Sequence, residues 1–352
     1  MNFRNYNLNV VLYCSGLKNN FASTFFVYEQ TYISYMDFHV IIDAIKEIID
    51  VTLAYLISAN KRTYWLYFIT SFILALYVYY RTKERESFKS YFFSKKRWFG
   101  KSAWVDYTLI FFNSLVKVII LAPILIYALY MAEGLSEYLV NKFGPSSFNF
   151  SKTSLIISYT IIIVVVNDFF SFLIHYAMHK IPFLWEFHKI HHSATELNPF
   201  TQYRIHPVEL IINNLRGLLI KGLITGVFLY VANDNVSLIT LLGINIFNFL
   251  FYFFGANLRH SHVKLKYFSF LEYIFISPYQ HQIHHSNNQE HFDSNLGSRL
   301  AIWDYLFGTL IKSKQVKEIK FGLGEEDPYY DSFSKNLLNP FVNIIKRKKS
   351  IK

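Results

Sequence analysis

The sequence predicts an all-α integral membrane protein, with about four transmembrane helices and a cytoplasmic cap of shorter helices holding a histidine-rich di-metal site. Three observations lead there. Hydrophobic residues make up 53% of the 352 positions and aromatic residues 19%, against 17% charged, a balance that leaves the soluble range. The apolar residues are bunched into runs that can cross about 30 Å of hydrocarbon as helices. The spacing H-x-x-H-H occurs twice, as His188, His191, His192 and as His281, His284, His285.

Taken in order, residues 1–35 are polar and aromatic without periodicity, and their apolar run is too short for a secretory signal. Met36 opens an amphipathic stretch, DFHVIIDAIKEIIDVTLAYL, and is an alternative start of translation; native peptides from residues 1–35 would refute that start. Residues 1–60 are therefore read as an N-terminal segment, 61–330 as the membrane domain and 331–352 as a basic tail. Cys14 is the only cysteine, which excludes an intrachain disulfide and a thiolate cluster.

Residues 64–80, 107–132 and 154–179 read as spans, and 237–258, which carries no charge, as a fourth. Residues 208–232 contain Glu209, Arg216 and Lys221 and read instead as a helix packed on protein or dipping into the bilayer. The net charge of +11 sits in loops beside apolar spans, which argues topology and not nucleic acid. Residues 81–101 hold eight Lys and Arg against two Glu, whereas 133–152 are balanced at two of each. The first loop is thus expected in the cytoplasm, and with 208–232 and 237–258 as an up-and-down pair every histidine cluster shares that face.

Twelve of the 13 histidines lie between residues 175 and 291. His175 and His179, four apart, share one face of a helix, as do His188, His191 and His192 within about 100° of arc. Pro182 ends the first helix and lets the second turn back upon it. With His260, His281, His284 and His285 the count reaches nine, more than one metal can use. Two metals with four or five neutral nitrogen ligands fit the number. Imidazole suits iron, copper, nickel and zinc alike, so the setting decides. Lipid chains offer C–H bonds and few groups to hydrolyse, and that calls for oxygen activation at iron.

The order H-x3-H, H-x2-H-H, H-x2-H-H resembles the fatty acid hydroxylase superfamily, its sterol desaturase branch in particular. The resemblance continues through Leu197, Asn198, Thr201, Arg204, His206 and Glu209, and through His291, Asp293, Asn295, Gly297, Trp303, Asp304 and Phe307 to Thr309. It covers about residues 60–330. It implies two Fe ions, O2, a lipid substrate and electrons from an external donor, a reductase or cytochrome, in a bacterial inner membrane or endoplasmic reticulum. Both hydroxylation and desaturation stay open, as does zinc in overexpressed protein. Two positions depart from the pattern: His262 stands where an amide is usual, and Leu296 where a tyrosine is usual.

Other polar residues have plainer readings. His39 is read as a packed residue. His206 and His291 are read equally as ligands or as ligand partners or substrate contacts, His262 as a ligand or a ligand's partner, and Asp168, within an apolar span, as the partner of a ligating histidine. Arg204, Glu209 and Asp304 form either an ion-pair network or part of the shell around the metals. A membrane zinc hydrolase is disfavoured because H-E-x-x-H is absent, and a metal transport or storage protein because its sites would be spread along a path.

Overall fold

The computed structural model describes residues 38–82, 86–125, 127–233, 236–241 and 243–350; Cys14 and Met36 lie outside them. The chain divides into two units, 1–51 and 52–352. Helix α1 spans Phe38–Ile57.

Helix α2 (Trp65–Thr82) buries Tyr67, Thr70, Ser71, Ala75 and Val78, and exposes Ile69, Ile73, Tyr77 and Tyr80. Among the described residues, three helices are long and apolar enough to cross a membrane: Lys101–Phe143, Lys152–Lys180 and Pro207–Ala232. The first is composite, with α3 (Lys101–Val116), a π turn at Lys117–Leu121, a short helix at Ala122–Leu125 and α4 (Tyr127–Phe143). Its helix runs on to Phe143, so the connection to the next helix is shorter than the 133–152 loop read from sequence. The other two are α5 (Lys152–Lys180) and α7 (Pro207–Ala232), with the short helix α6 (Pro182–His192) between them.

Two of the expected spans exchange places. Residues 207–232, read as doubtful, form one unbroken helix, about 39 Å long at 1.5 Å per residue. Its outer stripe of Leu215, Leu219, Leu223 and Val227 is apolar and exposed, the face a lipid-embedded helix presents. Its inner face is cut back at Gly222 and Gly226. A Cβ on Gly226 would lie 2.7 Å from the Ala132 carbonyl oxygen and 2.9 Å from Leu135 Cβ, so these glycines let α4 approach closely.

Residues 237–258 are not a span. A two-stranded hairpin (β1 Thr240–Leu241, β2 Ile244–Asn245) is followed by α8 (Ile246–Phe253) and a turn at Ala256–His260. Gly243 and Gly255 adopt positive φ, and the Asn245 side chain caps α8, which is why an uncharged run is not one helix. The hairpin is tied to α5, where Thr160 Oγ1 accepts from Ile239 N–H and the Thr160 carbonyl accepts from Asn245 Nδ2. Helices α9 (Pro278–His284), α10 (Ile302–Phe307) and α11 (Phe333–Ser350) complete the cap. The last is no loose tail: Asn336 Oδ1 accepts from Ser193 Oγ and Asn343 Nδ2 donates to Glu186, both against the α6 end of the site.

Candidate metal centre

Proline at the first helical position starts both α6 and α9, and α9 is closed further by a capping box between Ser277 and Gln280. These two short helices carry the H-x-x-H-H boxes into the end of α5. All nine histidines expected as ligands meet there, in two groups whose ligand atoms lie within 4.8 Å of one another. One group is His175, His179, His188, His192 and His284; the other is His191, His260, His281 and His285.

The boxes are interleaved. In each, the outer two histidines, four apart, face one group, and the middle one, three from the first, faces the other. His191 and His192 are neighbours in sequence yet serve different groups. Nε2 to Nε2 distances are 3.0 Å for His175 to His188, 3.3 Å for His188 to His192, and 3.2 Å from His260 to both His191 and His281. Nitrogens at right angles on a metal with bonds of about 2.1 Å would be about 3 Å apart.

Hydrogen bonds on the far side of the rings fix which nitrogen is free. Nδ1 donates to acceptors in five cases: His175 to the Leu296 carbonyl (2.6 Å), His179 to Asp293 Oδ1 (3.2 Å), His188 to Glu209 Oε1 (3.0 Å), His191 to the Arg204 carbonyl (3.2 Å) and His284 to the Ser294 carbonyl (2.8 Å). A neutral ring so held turns an Nε2 lone pair inward. Lone pairs do not hydrogen-bond one another, and His179 Nε2 and His284 Nε2 are buried without a partner. Such an arrangement is satisfied by a cation, so the residues fit metal ions.

His281 differs, since its Nδ1 faces Arg259 Nη2 at 2.8 Å and must accept. Outside the spans, burial first and then neighbouring imidazoles push His191, His192, His284 and His285 well below the usual histidine range. For His260 and His281, Arg259 adds to burial in the same direction. Trp185 covers the first group, its ring 5.1 Å from His179 and 5.4 Å from His192.

The residues expected around the ligands fall into distinct roles. Glu209 bonds a ligand ring directly, whereas Arg204 does so through its carbonyl while its guanidinium is buried on Asp106 at 2.6 Å. Asp168 is a correction: it meets no histidine and accepts instead from Arg299 Nη1 (3.2 Å), Leu300 N–H (3.1 Å) and Trp303 Nε1 (3.1 Å). His206 caps α7 by accepting from Val208 N–H, and His291 bonds Ser286 Oγ. His262 sits 3.1 Å from Arg97 Nη1, outside both groups.

Asp304 acts at one remove. It accepts from Leu296 and Gly297 N–H and Thr309 Oγ1, fixing the turn whose Leu296 carbonyl orients His175; burial raises its carboxyl to about 6 despite those donors. Gly297 permits this, because a Cβ there would lie 2.7 Å from Asp304 Oδ2. Missing from the sequence-based site are Arg259 and the carbonyls of Ser294 and Leu296. Asp293, a motif residue to which sequence assigns no role, holds His179 from a positive-φ position.

Fold and site thus define a helical membrane protein with a centre of nine histidines in two groups. Residues 160–309, which include all nine, match the fatty acid hydroxylase family. It is similar to the ornithine lipid hydroxylase of Rhizobium tropici, at 28% identity over 42% of this chain and 40% of the relative. It is also similar to the alkylglycerol monooxygenases of Xenopus tropicalis (27%) and Homo sapiens (26%), each over 44% of this chain and 31% of the relative. The chain therefore spans well under half the length of these curated relatives. No solved structure matches it.

Proposed function

We propose that the protein is a membrane-bound di-iron oxidoreductase that hydroxylates a C–H position of a lipid, using O2 and electrons from a separate reductase or cytochrome. The single observation that carries this reading is the interleaving of two nitrogen-only ligand groups at one end of lipid-facing helices. Iron bound there would supply oxygen activation, the chemistry an unactivated C–H bond requires. The nine histidines are proposed as the ligands; Nδ1 partners hold five of the rings, His175, His179, His188, His191 and His284, with Nε2 turned inward, and burial keeps the rings neutral and solvent away.

A hydrolytic zinc centre is less well supported. The carboxylates beside the site, Glu209 and Asp293, accept from the outward Nδ1 atoms of ligand rings, which gives them a role in orienting those rings. Transport is also less well supported, because both groups sit at one end of the spans. The similarity to a lipid hydroxylase and to monooxygenases favours hydroxylation over desaturation. The basic segment before α3 packs at the same end, through Arg97 to His262 and to Asn198, which supports a cytoplasmic centre. Lipidomics of cells with and without the gene tests the reading: a lipid gaining oxygen only with the gene is expected, and unchanged lipid profiles would refute it.

A further inference from the structure

We propose that a cluster of cationic side chains beneath the metal centre, called the recess below, binds the anionic group, phosphate or carboxylate, of a lipid. That such a lipid is the substrate rests on the oxidoreductase reading above; the site itself does not.

Three guanidinium groups converge on one ring. The centroid of Phe251 lies 5.4 Å from the Arg62 guanidinium carbon, 5.4 Å from that of Arg259 and 5.6 Å from that of Arg299. The neighbouring Tyr252 faces Arg62, Arg299 and Lys221. Burial raises the Tyr252 phenol, yet the surrounding cations outweigh burial and hold it below its ordinary value, which registers a strongly positive potential. Arg216 adds a further cation on α7, donating to the Asn167 carbonyl (3.1 Å) and Oδ1 (3.0 Å). On the other side, Lys117 opens the π turn and donates to the Tyr55 hydroxyl, with Lys61 close enough to repel it. Such π turns often mark functional places in helices.

Negative charge does not match this. Among the described residues, the carboxylate paired with any of these cations is Asp168, and its oxygens already serve Arg299, Leu300 and Trp303. The Nε atoms of Arg216, Arg259 and Arg299 are buried without a partner, and Arg259 as a whole is 2% exposed. Cations within a membrane domain are costly, and unpaired ones crowded together repel, so such groups mark ligand paths. Arg62, Arg216, Arg299 and Tyr252 are half-buried and Lys221 is exposed, so the cluster opens outward. A phosphate or carboxylate accepts several guanidinium and ammonium bonds at once and removes both costs.

The depth suits a lipid. Asp168 lies seven residues before His175 on α5, and Arg216 seven after Glu209, which bonds His188, on α7. At 1.5 Å per residue both are about 10 Å from the metal level. An anionic group anchored there leaves a carbon a fixed distance away to reach the histidines, whereas a neutral lipid has no such anchor.

The test uses the full chain, iron-loaded and in neutral detergent, with binding read by native mass spectrometry. The probes are dioleoyl phosphatidic acid, oleate and dioleoylglycerol, with inorganic phosphate as competitor. The two anionic lipids should bind at least about tenfold more tightly than dioleoylglycerol, and R62Q/K221Q should lose most of that preference while keeping its metal content. If the double variant loses metal, K221Q alone, at an exposed position, should still weaken the preference about threefold. Equal retention of all three lipids, or a preference unchanged in K221Q, overturns the proposal. Inorganic phosphate binding with no preference among lipids assigns the recess to a free anion and overturns the lipid claim. Selective binding without oxygen-dependent turnover leaves the site standing and refutes the reaction; equal turnover of neutral and anionic lipids leaves the reaction standing and overturns the anionic lipid as substrate.

Discussion

His188 Nδ1 donates to Glu209 Oε1 across 3.0 Å, with both side chains buried. This bond ties the first H-x-x-H-H box to the start of α7 and fixes the tautomer of a ring in the five-histidine group. Replacing the carboxylate, as in Glu209→Gln, should weaken metal binding about 10- to 100-fold. Metal retained against a graded chelator is the measurement, and wild-type retention would contradict the role.

Asp168 makes the opposite prediction. It meets three donors and no ligand ring. Asp168→Ala leaves Arg299 without its carboxylate and should cost about 3–5 kcal/mol of stability. Metal content per folded chain should be unchanged. Thermal unfolding and metal analysis on the same sample separate the two effects; loss of metal from a fully folded variant would contradict the structure.

The interleaving predicts that adjacent histidines serve different metals. His192→Ala should deplete the five-residue group and His191→Ala the four-residue group. Each variant should keep about one metal per chain, with different spectroscopic signatures for the metal that remains. Identical signatures would argue against two groups.

Much of this centre is legible in the sequence, for a local reason. Spacing of three and four on a helix fixes which rings share a face, so eight of the nine histidines stand out by spacing, and His260 by its place after an apolar run. What spacing does not encode is which group each ring joins, since that depends on how α6 and α9 meet. Backbone partners are invisible for the same cause: the carbonyls of Leu296, Ser294 and Arg204 have no side-chain signature. The spans are misread where charge is weighed above turn chemistry. Gly243, Asn245 and Gly255 break the uncharged 237–258 run, while α7 accommodates Arg216, which donates to the Asn167 carbonyl and Oδ1, and Lys221 at an exposed position.

Removing the metals should make the protein acid-sensitive. Burial holds His191, His192, His284 and His285 uncharged well below the usual range, whereas unfolded histidines take up a proton near pH 6.5. Below that pH the unfolded chain binds more protons than the folded one, so stability falls as pH falls, by up to about 1.4 kcal/mol per unit for each ring. Chelated protein should therefore unfold at lower temperature at pH 5.5 than at pH 7.5, by more than the metal-loaded form. Equal pH dependence would contradict burial of the cluster as neutral rings.

The central claim is oxygen insertion into a lipid at a two-iron centre built from both boxes. Its most direct test is to feed isotopically labelled dioxygen to cells expressing either the wild-type chain or His284→Ala, and to follow the label in extracted lipid. The account predicts labelled oxygen in a lipid of wild-type cells and none with His284→Ala. Label in both, or oxygen derived only from water, would contradict it.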